Sequence, residues 1–75
     1  MRSKEEALAK PMAGDKWEKR GKHGFVINSR MVIGPATAKL VQVEDYRVGG
    51  RYRMTIEVNA FHRWASNADF IGGAE

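Results

Sequence analysis

The most regular pattern in the chain lies between residues 51 and 59, where apolar and polar side chains alternate without interruption. Because successive side chains of a strand point to opposite faces, this alternation predicts a β-strand with one buried face. The side chains predicted to point inward are Tyr52, Met54, Ile56 and Val58. Gly49 and Gly50 precede the strand and suit a tight hairpin turn, since glycine readily adopts positive φ.

Three further strands are predicted before this one. They cover residues 16–20, 25–33 and 36–44. The first carries one large apolar side chain, Trp17, among charged residues, and a glycine-flanked turn at residues 21–24 follows it. Gly34-Pro35 separates the second strand from the third, in which the alternation is weaker. Residues 45–50 connect the third strand to the regular one.

The N-terminal segment has a different pattern. Ser3 and Glu6 have the spacing of a helical capping box, and Pro11 ends any helix that follows. An isolated helix of this length is marginal in water. We therefore expect residues 1–13 to form a mobile or marginally helical tail, and the domain to begin near Gly14.

After Asn59 the spacing of apolar residues changes from two to three. Phe61 and Trp64 are three positions apart, which predicts a helical turn that lays both aromatic rings on the sheet. Phe70 and Ile71 then suit a short closing strand. The predicted domain thus spans residues 14–71, and residues 72–75 are expected to be a flexible C-terminus.

These elements predict a mainly β fold. Four or five short antiparallel strands, with one short helical turn before the last strand, describe a small SH3-like barrel or rolled sheet. A core of this size needs its large side chains inside. The four aromatic residues expected in the core are Trp17, Phe25, Phe61 and Trp64.

Two short motifs carry a resemblance to a known group of proteins. Gly14-Asp15-Lys16-Trp17 opens the predicted domain, and Phe61-His62-Arg63-Trp64 lies near its end. With these motifs, residues 14–71 resemble the small SH3-like proteins of bacteriophage and prophage genomes. The resemblance implies an SH3-like fold and a phage-like origin. It implies no catalytic residues, because that group shares no common activity.

Composition narrows the class of protein. The chain has 75 residues, no cysteine, a formal net charge of +4 and a sequence pI of about 9.8. The length excludes large enzyme folds, and the missing cysteines exclude disulfides, thiolate zinc sites and a cysteine nucleophile. No apolar leader opens the chain, and no run approaches the ~18 apolar residues of a membrane span. We expect a cytoplasmic protein of a bacterial host cell, without membrane association.

No constellation of residues predicts catalysis. His23 and His62 lack partners at the spacing of a metal site. Glu44 and Asp45 are adjacent, so on a strand they point to opposite faces and cannot flank one substrate; we expect both to be solvated. No serine or threonine lies in a nucleophile motif. The sequence therefore predicts no enzyme, no bound metal and no cofactor.

Basic residues give the strongest indication of a binding surface. Positive charge is concentrated in the first turn and in the arginine-rich hairpin. The candidate residues for nucleic-acid or partner binding are Lys16, Lys19, Arg20, Lys22, Tyr46, Arg47, Arg51 and Arg53. A basic hairpin with aromatic side chains can follow a phosphate backbone and stack on a base. Arginines on an outward face also prevent strands of two molecules from pairing, and that explanation needs no ligand.

Three functions stay open on this evidence. The first is a non-enzymatic binding module, encoded by a phage or prophage, that docks on a host or phage protein. The second is a barrel that uses the basic hairpin to bind DNA or RNA with low specificity. The third is a structural or oligomeric phage component, since a rolled sheet has edge strands that can pair across a two-fold axis. We expect a monomer or a weak homodimer.

Overall fold

The computed structural model describes residues 2–73 and contains five antiparallel strands in one sheet. The strands are β1 (Lys16–Arg20), β2 (Val26–Val32), β3 (Leu40–Arg47), β4 (Gly50–Glu57) and β5 (Asp69–Gly72). Two helices accompany them, α1 (Lys4–Ala9) and α2 (Val58–Ser66). Gly72 belongs to β5, and the rest of the predicted flexible C-terminus lies partly outside the described residues.

The strand order β4-β3-β2-β1-β5 gives an SH3-like rolled sheet. The first four strands pair in sequence as a meander, and β5 returns to pair antiparallel with β1. The mainly β prediction is confirmed, with five strands. The element before the last strand is longer than the single turn predicted, because α2 is a helix of nine residues.

The core lies between the inner face of the sheet and the two helices. The buried apolar residues are Ala7, Trp17, Val32, Val41, Val43, Phe61, Ala65 and Ala68. The ring of Trp17 meets Phe61 edge-on, with centroids 5.8 Å apart, and lies 5.0 Å from the ring of Phe70. Trp17 and Phe61 are thus buried as predicted, and Trp64 packs half-buried against the same core.

Phe25 does not belong to the core. Its side chain is 76% exposed, so the prediction of a core position is wrong. The alternating pattern suggested that the strand begins at this residue, but β2 begins at Val26 and its pairing with β3 begins only at Asn28. Phe25 therefore lies in the turn, beyond the point where two strands can cover it.

The turn of the β3–β4 hairpin lies one residue earlier in the chain than predicted. Its two-residue turn is Val48-Gly49, with Gly49 at a φ of 95°, and Gly50 is already paired with Arg47. Residues 45–47 extend β3 instead of forming a connection. Met54, Ile56 and Val58 pack against the core as predicted, but Tyr52 is half exposed.

The N-terminal segment packs on the barrel. The capping box of Ser3 and Glu6 is confirmed, with each side chain bonded to the other residue's backbone N–H. Ala7 is fully buried. Lys4 Nζ donates to the carbonyl oxygen of Ser66, the last residue of α2, at 3.0 Å and to that of Ala68 at 2.7 Å. Helix α1 is therefore part of the packed domain, and the expected boundary near Gly14 lies inside that domain.

An ion pair between Arg2 and the buried carboxylate of Asp15 fixes the other end of this segment. Arg2 Nη2 lies 2.5 Å from Oδ2 of Asp15, whose side chain has no solvent exposure. His62 Nε2 lies 2.6 Å from the carbonyl oxygen of Leu8. These contacts, together with the buried Ala7, supply the docking surface that a helix of six residues needs.

Candidate partner-binding site

Two adjacent carboxylates organise the β3–β4 hairpin. Glu44 and Asp45 point to opposite faces of the sheet, as predicted, but both are buried, so the expectation that they are solvated is wrong. Glu44 lies across from Arg53 on β4, and Asp45 lies across from Arg30 on β2. Each carboxylate attracts arginines on its own face, which is why burial is tolerated.

On the outer face, two hydrogen-bond donors and one further guanidinium surround the Glu44 carboxylate. The Tyr46 hydroxyl donates to Oε1, Arg53 Nε donates to Oε2 at 2.9 Å, and Arg51 Nε lies 3.7 Å from Oε1. The hydrogen bond from Tyr46, followed by that from Arg53, holds the pKa of Glu44 below its ordinary value. The same bond to Glu44 raises the pKa of Tyr46. Two guanidinium groups thus share one carboxylate here.

On the inner face, Asp45 is surrounded by three side chains. Arg30 Nε donates to Oδ2 at 2.6 Å, while Arg47 Nε and Asn28 Nδ2 donate to Oδ1 at 2.8 and 3.0 Å. Burial by itself raises the pKa of Asp45, but the hydrogen bonds from Arg47, Arg30 and Asn28 outweigh it, so the pKa lies below its ordinary value. Asp45 is therefore charged at neutral pH and fixes both arginines.

Helix α2 adds an aromatic side chain to this group. Trp64 Nε1 donates to Asn28 Oδ1 at 3.0 Å. Arg30 Cζ lies 4.5 Å from the centroid of the Trp64 ring, and Lys19 Nζ lies 5.8 Å from it, both within cation–π range. We call this group the inner-face cluster; its members are Lys19, Asn28, Arg30, Asp45, Arg47 and Trp64.

The β1–β2 and β3–β4 hairpins expose apolar side chains near their turns. Pairing of β2 with β3 ends at Asn28 and Arg47, so β3 does not cover Val26 and Ile27, although Val26 still pairs with Arg20 of β1. We call these residues the hairpin-tip patch; they are Phe25, Val26, Ile27 and Val48, all exposed, and Val48 is 96% exposed. Val26, Ile27 and Val48 line a shallow cavity of about 220 Å³, which Asn28 and Arg47 also line.

The eight basic and aromatic residues predicted as a site do not form one continuous stripe. Tyr46, Arg51 and Arg53 surround Glu44 on the outer face, where Lys16 is also exposed on β1. Lys19 and Arg47 join the inner-face cluster. Arg20 and Lys22 flank the β1–β2 turn, and Arg20 is bonded to Glu18 and to the Gly24 carbonyl.

Sequence reasoning missed the centre of the inner-face cluster. Asn28 and Arg30 share a strand face with Val32, and Val32 is fully buried. Two polar side chains on the same face as a core valine indicate a polar group at the end of a barrel, so the pattern contained this information. Trp64 comes from α2, and nothing in the sequence around Asn28 and Arg30 indicates that it joins them.

Comparison of the chain with protein-family models, with curated proteins and with solved structures found no match. Neither helix is long and apolar enough to span a membrane within residues 2–73. Over the same residues, no three histidine, aspartate or glutamate side chains converge in a way that could hold a metal ion. The function is therefore inferred from the fold, the inner-face cluster and the hairpin-tip patch.

Proposed function

We propose that the protein is a small non-enzymatic binding module that docks on a host or phage protein. The proposal includes a phage or prophage origin, which rests on the resemblance of residues 14–71, and a location in the bacterial cytoplasm. The observation that carries the docking function is the hairpin-tip patch, where apolar side chains stay exposed although Trp17 and Phe61 are completely buried.

The patch has the properties of a protein-docking surface. Contiguous exposed apolar side chains on a small soluble domain mark interaction sites more often than chance positions do. Phe25 and Val48 do not belong to the core or pack against it. Tyr52, with the guanidinium of Arg47 5.6 Å from its ring centroid, lies half exposed nearby on β4. Tyrosine and arginine are enriched among residues that dominate binding energy.

The surroundings of the patch indicate an acidic partner. Arg20 and Lys22 belong to the first hairpin tip, and Arg47 and Arg51 flank the second. Opposite charges across an interface speed association and select among partners. The partner favoured by this arrangement is a protein that presents apolar side chains surrounded by aspartate or glutamate.

The nucleic-acid alternative is less well supported by the geometry. Arg47 lies on the inner face of the sheet, whereas Arg51 and Arg53 lie on the outer face beside Glu44. The cations therefore do not form one continuous row along which a phosphate backbone could run. Phe25 could stack on a base, but the exposed aliphatic side chains of Val26, Ile27 and Val48 would have no role in that function.

Affinity capture with matched variants tests the proposal. The full chain and the variant Phe25→Ser/Val48→Ser are immobilised, and the proteins they bind from a bacterial lysate, with and without nuclease treatment, are quantified by mass spectrometry. Leu40→Ser is the control, because Leu40 is an exposed apolar residue at the opposite end of β3 from Val48. We expect an acidic protein that is retained by the wild type and the control and lost with the double variant.

Two outcomes would overturn the proposal. Recovery of the same proteins by the wild type and the double variant would exclude the patch as a docking surface. Capture that disappears on nuclease treatment would support nucleic-acid binding instead. Sedimentation of the purified chain adds a third measurement, because a dimer that dissociates in Phe25→Ser/Val48→Ser would assign the patch to a second copy of this chain.

A further inference from the structure

In the described part of the chain, one nitrogen of the Arg30 guanidinium is hydrogen-bonded and the other two are not. Its Nε is bonded to Asp45, its plane lies near the Trp64 ring, and the side chain is 13% exposed. Within residues 2–73 the structure gives Nη1 and Nη2 no acceptor, and neither atom is fully buried. Two terminal groups of a fixed guanidinium thus face solvent without a partner.

A chain of hydrogen bonds fixes this arrangement. Trp64 donates to Asn28 Oδ1, and Asn28 Nδ2 donates both to Asp45 and to the carbonyl oxygen of Tyr46. Arg30 is therefore oriented from both sides, by the indole and by the carboxylate. A side chain already ordered in this way loses little conformational freedom when it binds a ligand.

The inner-face cluster carries more positive than negative charge. Lys19, Arg30 and Arg47 are cations, and Asp45 is the one carboxylate bonded to them in the described part of the chain. Lys19 Nζ lies 5.8 Å from the centroid of the same indole ring that the Arg30 guanidinium contacts, so an ammonium and a guanidinium both lie beside this ring. An excess of positive charge next to a half-buried aromatic ring favours an anion.

We propose that Nη1 and Nη2 of Arg30, assisted by Lys19, form a binding site for a carboxylate. The fork of a guanidinium matches the two oxygens of a planar carboxylate. One fork and one ammonium match the two oxygens and the single charge of a carboxylate; the same fork also binds phosphate, so the test below includes inorganic phosphate. Arg30 lies four residues from Val26 along β2, which is about 13 Å at ~3.3 Å per residue. One protein interface can cover both residues at this separation.

The source of this carboxylate is an aspartate, a glutamate or the C-terminus of the docked partner. That assignment rests on the proposed function, whereas the carboxylate site itself does not. A protein bound at the hairpin-tip patch would then place its apolar side chains at the tips and one carboxylate over Arg30.

An NMR titration of the full ¹⁵N-labelled chain with sodium acetate tests the site. The reporters are the Trp64 Nε1–H and Arg30 Nε–H signals, and sodium chloride at the same ionic strength is the reference. We expect both signals to shift in a saturable way with acetate and to stay nearly constant with chloride. Arg30→Lys, which removes the fork, should abolish saturation at Trp64, and the spectrum itself reports whether the variant folds.

Lys19→Gln and Lys16→Gln form a matched pair, because both remove one charge from β1 but lie on opposite faces of the sheet. We expect Lys19→Gln to weaken acetate binding roughly two- to fivefold, and Lys16→Gln to leave it unchanged. Equal effects of the two substitutions, or linear shifts in the wild type, would overturn the proposal. Saturation with inorganic phosphate alone would overturn it in favour of a phosphate site.

The result is separable from the proposed function. If acetate fails to bind while the hairpin-tip variant still loses its partner, the carboxylate site is wrong and the docking function stands. If acetate binds at Arg30 but no partner depends on Phe25 and Val48, the docking surface is wrong and the carboxylate site stands.

Discussion

The guanidinium of Arg30 lies over the indole ring of Trp64, with Cζ 4.5 Å from the ring centroid. Arg30 belongs to β2 and Trp64 to α2, so the contact joins the meander to the segment that returns the chain to β1. Trp64 also donates to Asn28 on the same strand. One side chain of the helix therefore orders two polar residues at the end of the barrel.

The substitution Trp64→Phe should destabilise the fold and loosen Arg30. Phenylalanine keeps an aromatic ring but removes the N–H, so Asn28 Oδ1 loses its donor at a cost of about 1–2 kcal/mol in the free energy of unfolding. Urea denaturation followed by circular dichroism measures this loss. Arg63→Gln, at the exposed neighbouring position of α2, is the control and should shift the transition little. Equal stability of Trp64→Phe and the wild type would show that the indole N–H has no structural role.

Acid should destabilise the protein through Asp45. Its pKa is lower in the folded chain than the ordinary value of 3.8, so the charged form contributes stability above that value. This contribution is lost as the pH falls through the lower folded pKa. We therefore expect the free energy of unfolding to decrease below about pH 4.

The variant Asp45→Asn isolates this contribution. Near pH 7 it should be less stable than the wild type by roughly 3 kcal/mol, at the low end for a broken buried pair because Arg47 is half exposed. The difference between variant and wild type should shrink as the pH falls, which thermal melting between pH 7 and pH 3 measures. Asp69→Asn, at an exposed position, is the control. A difference that stays constant over this range would rule out Asp45 as a source of acid sensitivity.

The Tyr46 hydroxyl should control the ionisation of Glu44. Its hydrogen bond is the largest of the causes that lower the pKa of Glu44, so Tyr46→Phe should raise that pKa toward its ordinary value. Titration of the side-chain carboxyl carbon by NMR follows Glu44 directly. Tyr52→Phe removes a hydroxyl from β4 without touching Glu44 and should leave the titration unchanged. An unaltered Glu44 midpoint in Tyr46→Phe would mean that Arg53 and Arg51 are sufficient.

The fold followed from the sequence where one local pattern dominates. The capping box of Ser3 and Glu6 and the burial of Trp17 depend on spacing within a few residues, and both were predictable. The same holds for the inward positions of Met54 and Ile56, because the alternation in β4 has no interruption. Strand ends were not predictable to the residue, since Phe25 and residues 45–47 have side chains compatible with either a strand or a turn.

The candidate site was predictable only in its individual residues. Charge identified Lys19 and Arg47, but their partners come from distant parts of the chain: Trp64 from α2 and Asp45 from β3. Whether a carboxylate is solvated or buried between two arginines depends on strand register, which the adjacent pair of Glu44 and Asp45 does not encode locally. The sequence therefore indicated a basic surface and left its internal charge pairing undetermined.

The docked position of α1 gives the last prediction. Ala7 is fully buried against the barrel while Ala9, on the same helix, is exposed. Ala7→Asp places a charge in an apolar contact and should lower the free energy of unfolding by roughly 2–4 kcal/mol, whereas Ala9→Asp should change it little. Urea denaturation of the two variants makes the comparison at equal charge and nearly equal helix position. If both variants unfold at the wild-type midpoint, residues 4–9 do not contribute to the domain, and residues 1–13 act as the tail that their sequence suggests.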